Sequence, residues 1–521
     1  MAASTSTIIA IAAIYLVMIF ALGYLGYKRT KEAEDYLVAG RKAHPVIIAL
    51  SYGATFISTS AIVGFGGQAA NLGMGLIWLT VFNIGVGILL AFVIFGKKTR
   101  EVGHRLRAVT FPDLMGKVYQ SPFMQVVSGL VIIVGMPLYT AAVLIGGAQF
   151  IKETVGLSYG VSLVGFAVIV AIYVIFGGLI AVMYTDAVQG TIMLIGMAIL
   201  LVSTYLILGG VTAAHTALTG MADLVPAKLA EQGMNGWTVM PDLGSPIWFT
   251  LVTTLVLGVG IGVLAQPQLV VRFMTAKDSR SLNRAVLVGG PFILMMTGVA
   301  FTVGALTNVY FYRTAGQIAI QAAGGNVDAI IPVFINSSMP EWFVVLFMVT
   351  LLAAAMSTLS SLFHAMGTAL ICDVWGRGRE CALSLRANQL GVLVMIVASV
   401  IVAFLMPGSI IAIATAMFMG LCASAFLPVF AVAVYCKKPD PRAAKASLVV
   451  GALTWFIWAL FVNSRYATVF GLSKVVLGTV SILGYPWNAI DPIIIALPLS
   501  AITILVLQYG RGGCRPEPQT A

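Results

Sequence analysis

From Leu352 to His364 the chain reads LAAAMSTLSSLFH, and four hydroxyls fall within five residues: Ser357, Thr358, Ser360 and Ser361. They lie inside an apolar stretch, 342–371, long enough to cross a membrane as a helix. On a helix, positions i, i+3, i+4 and i+7 share a face. Ala354, Ser357, Ser360 and Ser361 follow that spacing, with Thr358 beside them. Such a turn has two readings. Small and hydroxylated residues let membrane helices pack closely, and each hydroxyl can bond back to its own helix. Alternatively, the oxygens hold a cation. Hard cations prefer oxygen ligands, and for a monovalent ion such as Na+ neutral hydroxyls and backbone carbonyls suffice. The missing carbonyls would have to come from an unwound helix. ATFISTS, residues 54–60, offers one, because a break there frees carbonyls near Ala54 and Ile57.

Asp186, in YTD, is the other chemical group inside the apolar pattern. It falls where a span is expected to begin, so it could cap that helix and complement its dipole. An ionisable group at a span edge is equally a candidate functional group.

The elements that must position these residues are membrane helices. The chain has 521 residues, 60% of them hydrophobic and 9% charged, with a mean hydropathy of +1.02. Thirteen apolar spans are expected, at about 7–27, 45–70, 74–96, 124–151, 159–182, 187–209, 247–271, 285–311, 341–371, 388–406, 409–435, 444–463 and 490–509. The first lacks the basic flank and cleavage site of a signal peptide and is read as a retained helix. The net charge of +11 is not a nucleic-acid signal. With the N-terminus outside, 24 of the 29 Lys and Arg fall on one set of alternate connections. The other five are Lys152, Lys228, Arg313, Arg465 and Lys474. Basic residues stay cytoplasmic during insertion, so the N-terminus is expected outside and the C-terminus in the cytoplasm of a cell-membrane protein. No Lys or Arg is expected near a midplane. The five cysteines (Cys372, Cys381, Cys422, Cys436 and Cys514) avoid the outward connections, and no structural disulfide is expected.

Two spans are poor continuous helices. Span 2 carries glycine at 53, 64, 66, 67, 73 and 75 among hydroxyl and β-branched residues, and span 7 carries Gly258, Gly260 and Gly262 before Pro267. Glycine costs a helix interior about 1 kcal/mol against alanine and proline about 3. Broken backbone in a membrane is tolerated where it lines a cavity or is buried in protein. The interrupted spans are five apart, which makes spans 2–6 (45–209) and 7–11 (247–435) candidates for inverted copies, followed by two C-terminal helices (444–509) in one transporter domain, 1–521. Paired interruptions of this kind point to a secondary transporter's binding site.

Four segments resemble the sodium:solute symporter family: DYLVAGRK (35–42), FGGLIAVMYTDAVQG (176–190), AQPQLVVRFMTAKD (265–278) and AAAMSTLSS (353–361). The second and third look most like its bacterial sodium/proline branch. The resemblance implies an all-α, thirteen-helix membrane protein with a five-plus-five inverted core. It also implies Na+-coupled import of a small organic solute by alternating access. The family's principal sodium site falls on the carbonyls of Ala54, Ile57 and Ala354 and the hydroxyls of Ser357 and Thr358. A second site, found in some members, falls on Asp186, Ser360 and Ser361 and shares Ser357. Substrate candidates at the broken helices are Ser60, Gln68, Tyr139 and Gln266. Tyr139 aligns with a tyrosine that the proline branch uses near its substrate, though a packing tyrosine is an equal reading. Gln68 could simply mark the outer helix end. Phe56 and Ser60 stand where the proline branch has aspartate and tryptophan, and Val259 and Val263 replace two of its aromatic positions. The pocket therefore departs from that branch, which favours a small amino acid, a monocarboxylate or a vitamin-like acid such as pantothenate. With no buried Lys or Arg expected, a half-helix N-terminus would have to hold a carboxylate.

Two other classes compete. A transporter-like sensor would need an output domain, and only about a dozen residues follow the last span. An intramembrane enzyme would need a nucleophile–base pair or a metal cluster. Of the histidines, His44, His104, His215 and His364, only His364 falls in a span, without an HExxH-like partner, and it reads as a packing or cavity residue. The expected partners are Na+, a small-molecule substrate and the lipid bilayer, with neither nucleic acid nor an obligate protein partner.

Overall fold

The computed structural model describes residues 5–30, 33–41, 43–376 and 385–510. Among these the chain is helical, with one isolated β-bridge between Ala43 and Ala276. Ten helices are long and apolar enough to cross a membrane, or eleven when the bent pair Pro45–Phe56 and Ser60–Leu72 is taken as one span. The remaining two expected spans correspond to shorter apolar helices, Tyr159–Ile172 and Ile493–Gln508. By length and composition, ten or eleven of the thirteen expected spans qualify as crossings.

Both expected breaks are present. Span 2 bends by 52° between Phe56 and Ser60. The cause is local: Ile57 leaves helical geometry at ψ 104°, and the Ser58 side chain accepts the Ser60 N–H at 3.1 Å. A serine that offers its oxygen to a nearby N–H competes with the helix and starts a new one. Span 7 tightens to a 3-10 turn at Val263–Ala265, passes through extended Gln266 (ψ 119°) and restarts at Pro267. Proline suits that first helical position, where its missing N–H costs nothing.

The boundary between spans 5 and 6 differs from expectation. The kink lies at Gly178 (φ 58°, ψ −172°), not near residue 183. A side chain there would be strained by its positive φ, and a Cβ would meet the Tyr36 ring at 2.5 Å. Asp186 consequently sits two turns inside the second helix, and the reading of Asp186 as an N-terminal cap is overturned.

The cysteine expectation also fails in part. Cys372 and Cys436 are disulfide-bonded, and Cys422 is free and buried. Cys381 and Cys514 lie outside the described residues, as does Lys42. The expectation rested on compartment alone and could not weigh which cysteines the fold brings together.

Spans 2, 6 and 9 meet at the centre. The span 9 helix, Glu341–Thr368, packs extensively against the kinked helix Tyr159–Leu208 and against Pro45–Phe56.

Candidate functional site

The hydroxyl turn of span 9 faces the broken end of the first half of span 2. Ser357 Oγ donates to the Ala54 carbonyl at 2.9 Å and to the Ala354 carbonyl at 3.1 Å. Thr358 Oγ1 approaches the carbonyls of Thr55 at 3.1 Å and Ala54 at 3.4 Å. Ile57 is buried at the break itself. Four of the five residues expected at the principal sodium site are therefore in mutual contact, and the fifth lies one turn of backbone away. The donor set suits a monovalent cation: hydroxyl and carbonyl oxygens, uncharged and wholly buried. Oxygens around an ion of this size, each at about 2.4 Å, stand about 3.4 Å apart. The contacts here are 2.9–3.4 Å, so a few tenths of an ångström of opening would accommodate it.

The second cluster differs from expectation. Asp186 Oδ2 receives Ser51 Oγ at 2.8 Å, Thr55 Oγ1 at 3.3 Å and Arg272 Nη2 at 3.1 Å. Arg272, expected at the edge of an inward connection, is 1% exposed. Its Nη2 also donates to Thr55 Oγ1 at 2.9 Å and to Ser361 Oγ, its Nε to Ser51 Oγ at 3.2 Å, and its Nη1 to the Gln268 carbonyl at 3.0 Å. The expectation that no buried Arg or Lys would pair with a carboxylate is thus overturned. The restart of span 7 at Pro267 points the following turn back into the bundle, so a residue counted as the first loop charge lies in the interior. Ser360 and Ser361 both return to the Ser357 carbonyl, at 2.9 and 3.1 Å. Asp186 Oδ1 is buried with no hydrogen-bond partner among the described residues. A buried carboxylate oxygen left over in this way is suited to a further cation.

A small cavity lies beside the break in span 2. Its walls include Phe56, Ser58, Asn83, Tyr139, Thr297 and Thr415, and its space of about 20 Å³ would take roughly one water. Tyr139 Oη donates to Ser58 Oγ at 3.3 Å, and its ring stacks on Phe418. Asn83 Oδ1 is buried and unpartnered among the described residues. Phe56 and Val259, two of the departures from the proline branch, are on this wall.

Of the four expected substrate residues, only Tyr139 lines this cavity. Ser60 is buried beside it, its hydroxyl unpartnered among the described residues. Gln266 sits at the span 7 break and accepts a hydrogen bond from Gln268. Gln68 lines a separate chamber of about 440 Å³. Sequence reasoning missed Asn83, Thr297 and Thr415, although an asparagine in the middle of an apolar span was a visible signal. His364, as expected, is a packed cavity residue: its Nε2 lies 3.0 Å from the Tyr36 carbonyl.

Comparison with known proteins agrees with this architecture. The profile of the "Sodium:solute symporter family" matches residues 36–451. The sodium/pantothenate symporter of Haemophilus influenzae is 29% identical over 448 residues, covering 84% of this chain and 87% of its own. A sodium/proline symporter of Staphylococcus aureus is 27% identical over 479 residues, covering 89% of each. An osmoregulated proline transporter of Bacillus subtilis is 25% identical over 452 residues, covering 85% of this chain and 87% of its own. A substrate-bound, outward-open Na+-coupled sialic acid symporter shares the fold, with a TM-score of 0.74 at 15% identity and 99% of both chains covered. With a profile match across most of its length and a hydroxyl turn facing a broken helix, this chain belongs to the sodium:solute symporter family.

Proposed function

We propose that the protein imports a small carboxylate solute, an amino acid or a monocarboxylate, together with Na+. The observation that carries this reading is the meeting of Ser357 and Thr358 with the carbonyls freed at the span 2 break. The principal ion takes the oxygens of Ala54, Ile57, Ala354, Ser357 and Thr358. Asp186, Ser360 and Ser361, with Ser357, form a second cation position. Arg272 competes for it, because a guanidinium already engages Asp186 and Ser361 there.

The charge asymmetry supports an N-terminus outside and a C-terminus in the cytoplasm, with the chamber beside Gln68 opening outward. The breaks at 57–59 and 263–266 support spans 2–6 and 7–11 as inverted halves that rock about the central cavity.

A pantothenate-like acid is the second reading for the solute. It is favoured by the H. influenzae relative and by Phe56 and Val259 on the cavity wall, where the proline branch differs. Counterflow in proteoliposomes, with L-proline, pantothenate and a panel of short carboxylates, tests both. Sodium-dependent exchange of at least one carboxylate is expected, and exchange that ignores sodium would overturn the proposal.

A further inference from the structure

The chamber of about 440 Å³ is lined by Gln68, Asn71, Gln232, Ser464, Arg465 and Thr468, among others. It is large enough for a small organic molecule, which the central cavity as it stands is not. Arg465 is solvent-accessible on its wall, yet burial by surrounding protein lowers its pKa from the usual arginine value. Among the described residues it has no hydrogen bond or ion pair. The carboxylate of Asp491 is engaged by the residue next to Arg465, receiving Tyr466 Oη at 2.6 Å and the Ile493 N–H at 3.0 Å. That same Tyr466 bond, with Asn463 Nδ2 on the Ile490 carbonyl at 3.0 Å, fixes the short helix that presents Arg465.

The neighbouring donors sort cleanly. The hydroxyls of Ser464 and Thr468 are spent on the carbonyls of Asn488 and Ser464. The side-chain amides of Gln68, Asn71 and Gln232 make no hydrogen bond among the described residues, and Gln68 is more than nine-tenths buried. The chamber thus offers one uncompensated guanidinium and three free amides. That set matches a carboxylate with further polar groups, since a guanidinium binds both carboxylate oxygens through parallel N–H bonds. Gln68 also stands one helical turn beyond Phe65, which lines the central cavity. One turn is about 5.4 Å, so a solute held here is one step from the inner site.

We propose that this chamber is an outer carboxylate-binding site: the Arg465 guanidinium takes the carboxylate of an arriving solute, and the amides of Gln68 and Asn71 take its other polar groups. It lies apart from the sodium ligands and the central cavity. Its outward placement and the arriving carboxylate solute rest on the function proposed above.

The test uses purified full-length protein in neutral detergent, so that both faces are accessible and neither transport nor sodium is required. A cysteine at Gln232 is labelled at low ionic strength with an anionic (sulfonatoethyl) or a cationic (trimethylammonioethyl) methanethiosulfonate, and modification at residue 232 is read by mass spectrometry. The anionic-to-cationic rate ratio, normalised to a free thiol, is expected to fall at least fivefold on Arg465→Gln. Pantothenate and L-proline should slow labelling, while the uncharged-end analogues panthenol and prolinamide should not. Arg465→Gln should abolish this protection. Arg465→Lys should keep the rate ratio but weaken protection, because one ammonium cannot grip both carboxylate oxygens. A rate ratio indifferent to Arg465→Gln overturns the site, as does protection that is absent or equal for acids and analogues. Sodium-dependent counterflow in the same preparation reports separately on the symporter reading.

Discussion

The buried pair between Asp186 and Arg272 makes the sharpest test of the ion sites. The two groups are 3.1 Å apart, with side chains 0% and 2% exposed. Asp186→Asn would leave a guanidinium in the interior without its counter-charge, and breaking a buried pair by removing one partner costs about 3–5 kcal/mol. Arg272→Gln leaves the carboxylate instead, still held by Ser51 and Thr55, with Oδ1 unpartnered among the described residues. If the guanidinium competes for a cation position, Na+ can move in once it is gone. At sodium a hundredfold above its dissociation constant, binding would restore about 2.7 kcal/mol. Thermal unfolding of purified protein, in sodium and in choline, should therefore show three things. Asp186→Asn is strongly destabilised in both salts. Arg272→Gln is destabilised in choline and largely recovers in sodium, by a larger sodium increment than the wild type shows. The double variant, with neither charge, is more stable than Asp186→Asn. Equal sodium increments in wild type and Arg272→Gln, together with additive losses in the double variant, would refute the competition.

Three further outcomes follow from the same structure. Replacing Ser357 and Thr358 together by Ala should raise the sodium concentration for half-maximal uptake at least tenfold, about 1.4 kcal/mol of ion affinity; unchanged sodium dependence in a folded double variant removes the principal site. Cysteines at Lys228 and Arg313 should react with an impermeant thiol reagent added to intact cells, while cysteines at Lys97 and Lys437 should not, and the reverse pattern overturns the orientation. Asp328, in the connection between spans 8 and 9, is lifted to about 7 by burial, against the opposing pull of the Ile411 and Ile410 N–H groups. The unfolded chain releases that proton near pH 3.9, so between about pH 4 and 7 the folded protein binds more protons. Stability should then fall as pH rises through that window and level off above it. Thermal midpoints at pH 5 and 8 should differ more for the wild type than for Asp328→Asn, and equal differences would refute the assignment.

What was legible in the sequence was what depends on near neighbours. The hydroxyl turn follows from helical spacing, and both breaks follow from glycine, proline and hydroxyl content within a single span. The contacts that give the second cluster its character are remote in sequence: Ser51 and Asp186 are 135 residues apart, and Ser361 and Arg272 are 89 apart. Hydropathy places the first charge after an apolar run at the membrane edge, and for Arg272 that rule failed because the helix restarts five residues before it. Asp186 was misplaced for the opposite reason. The polar YTD residues at 184–186 interrupt the apolar run and draw the expected boundary there, whereas the kink falls at the GlyGly pair at 177–178. Gln68 and Gln266 were drawn toward the substrate because both lie in broken spans, yet a break has two sides, and sequence alone does not say which cavity each side faces.

The broken helix also explains why ion and solute can be coupled at all. Ser51 and Thr55 are one turn apart on the first half of span 2, and Phe65, Gln68 and Leu72 follow at three- and four-residue steps on the second, each the spacing of one helical face, with Ser58 at the break between them. On the first half Ser51 and Thr55 meet the Asp186–Arg272 pair, and the Ala54 and Thr55 carbonyls meet the span 9 hydroxyls. Farther on, Ser58 and Phe65 line the central cavity, and Gln68 and Leu72 line the chamber beyond it. The interruption at 57–59 lies where the proposed ion ligands and the cavity wall meet: Ile57 belongs to both, with Phe56 and Ser58 beside it on the wall. An ion that binds the first half fixes the position from which the second half departs, so any change in the 52° angle alters the ion cage and the cavity together. A ligand shifts such an equilibrium only by its differential affinity for the two arrangements. In the site proposed here, oxygens contributed by both span 2 and span 9 would give Na+ that differential, because such a cage exists only when the two helices are in register.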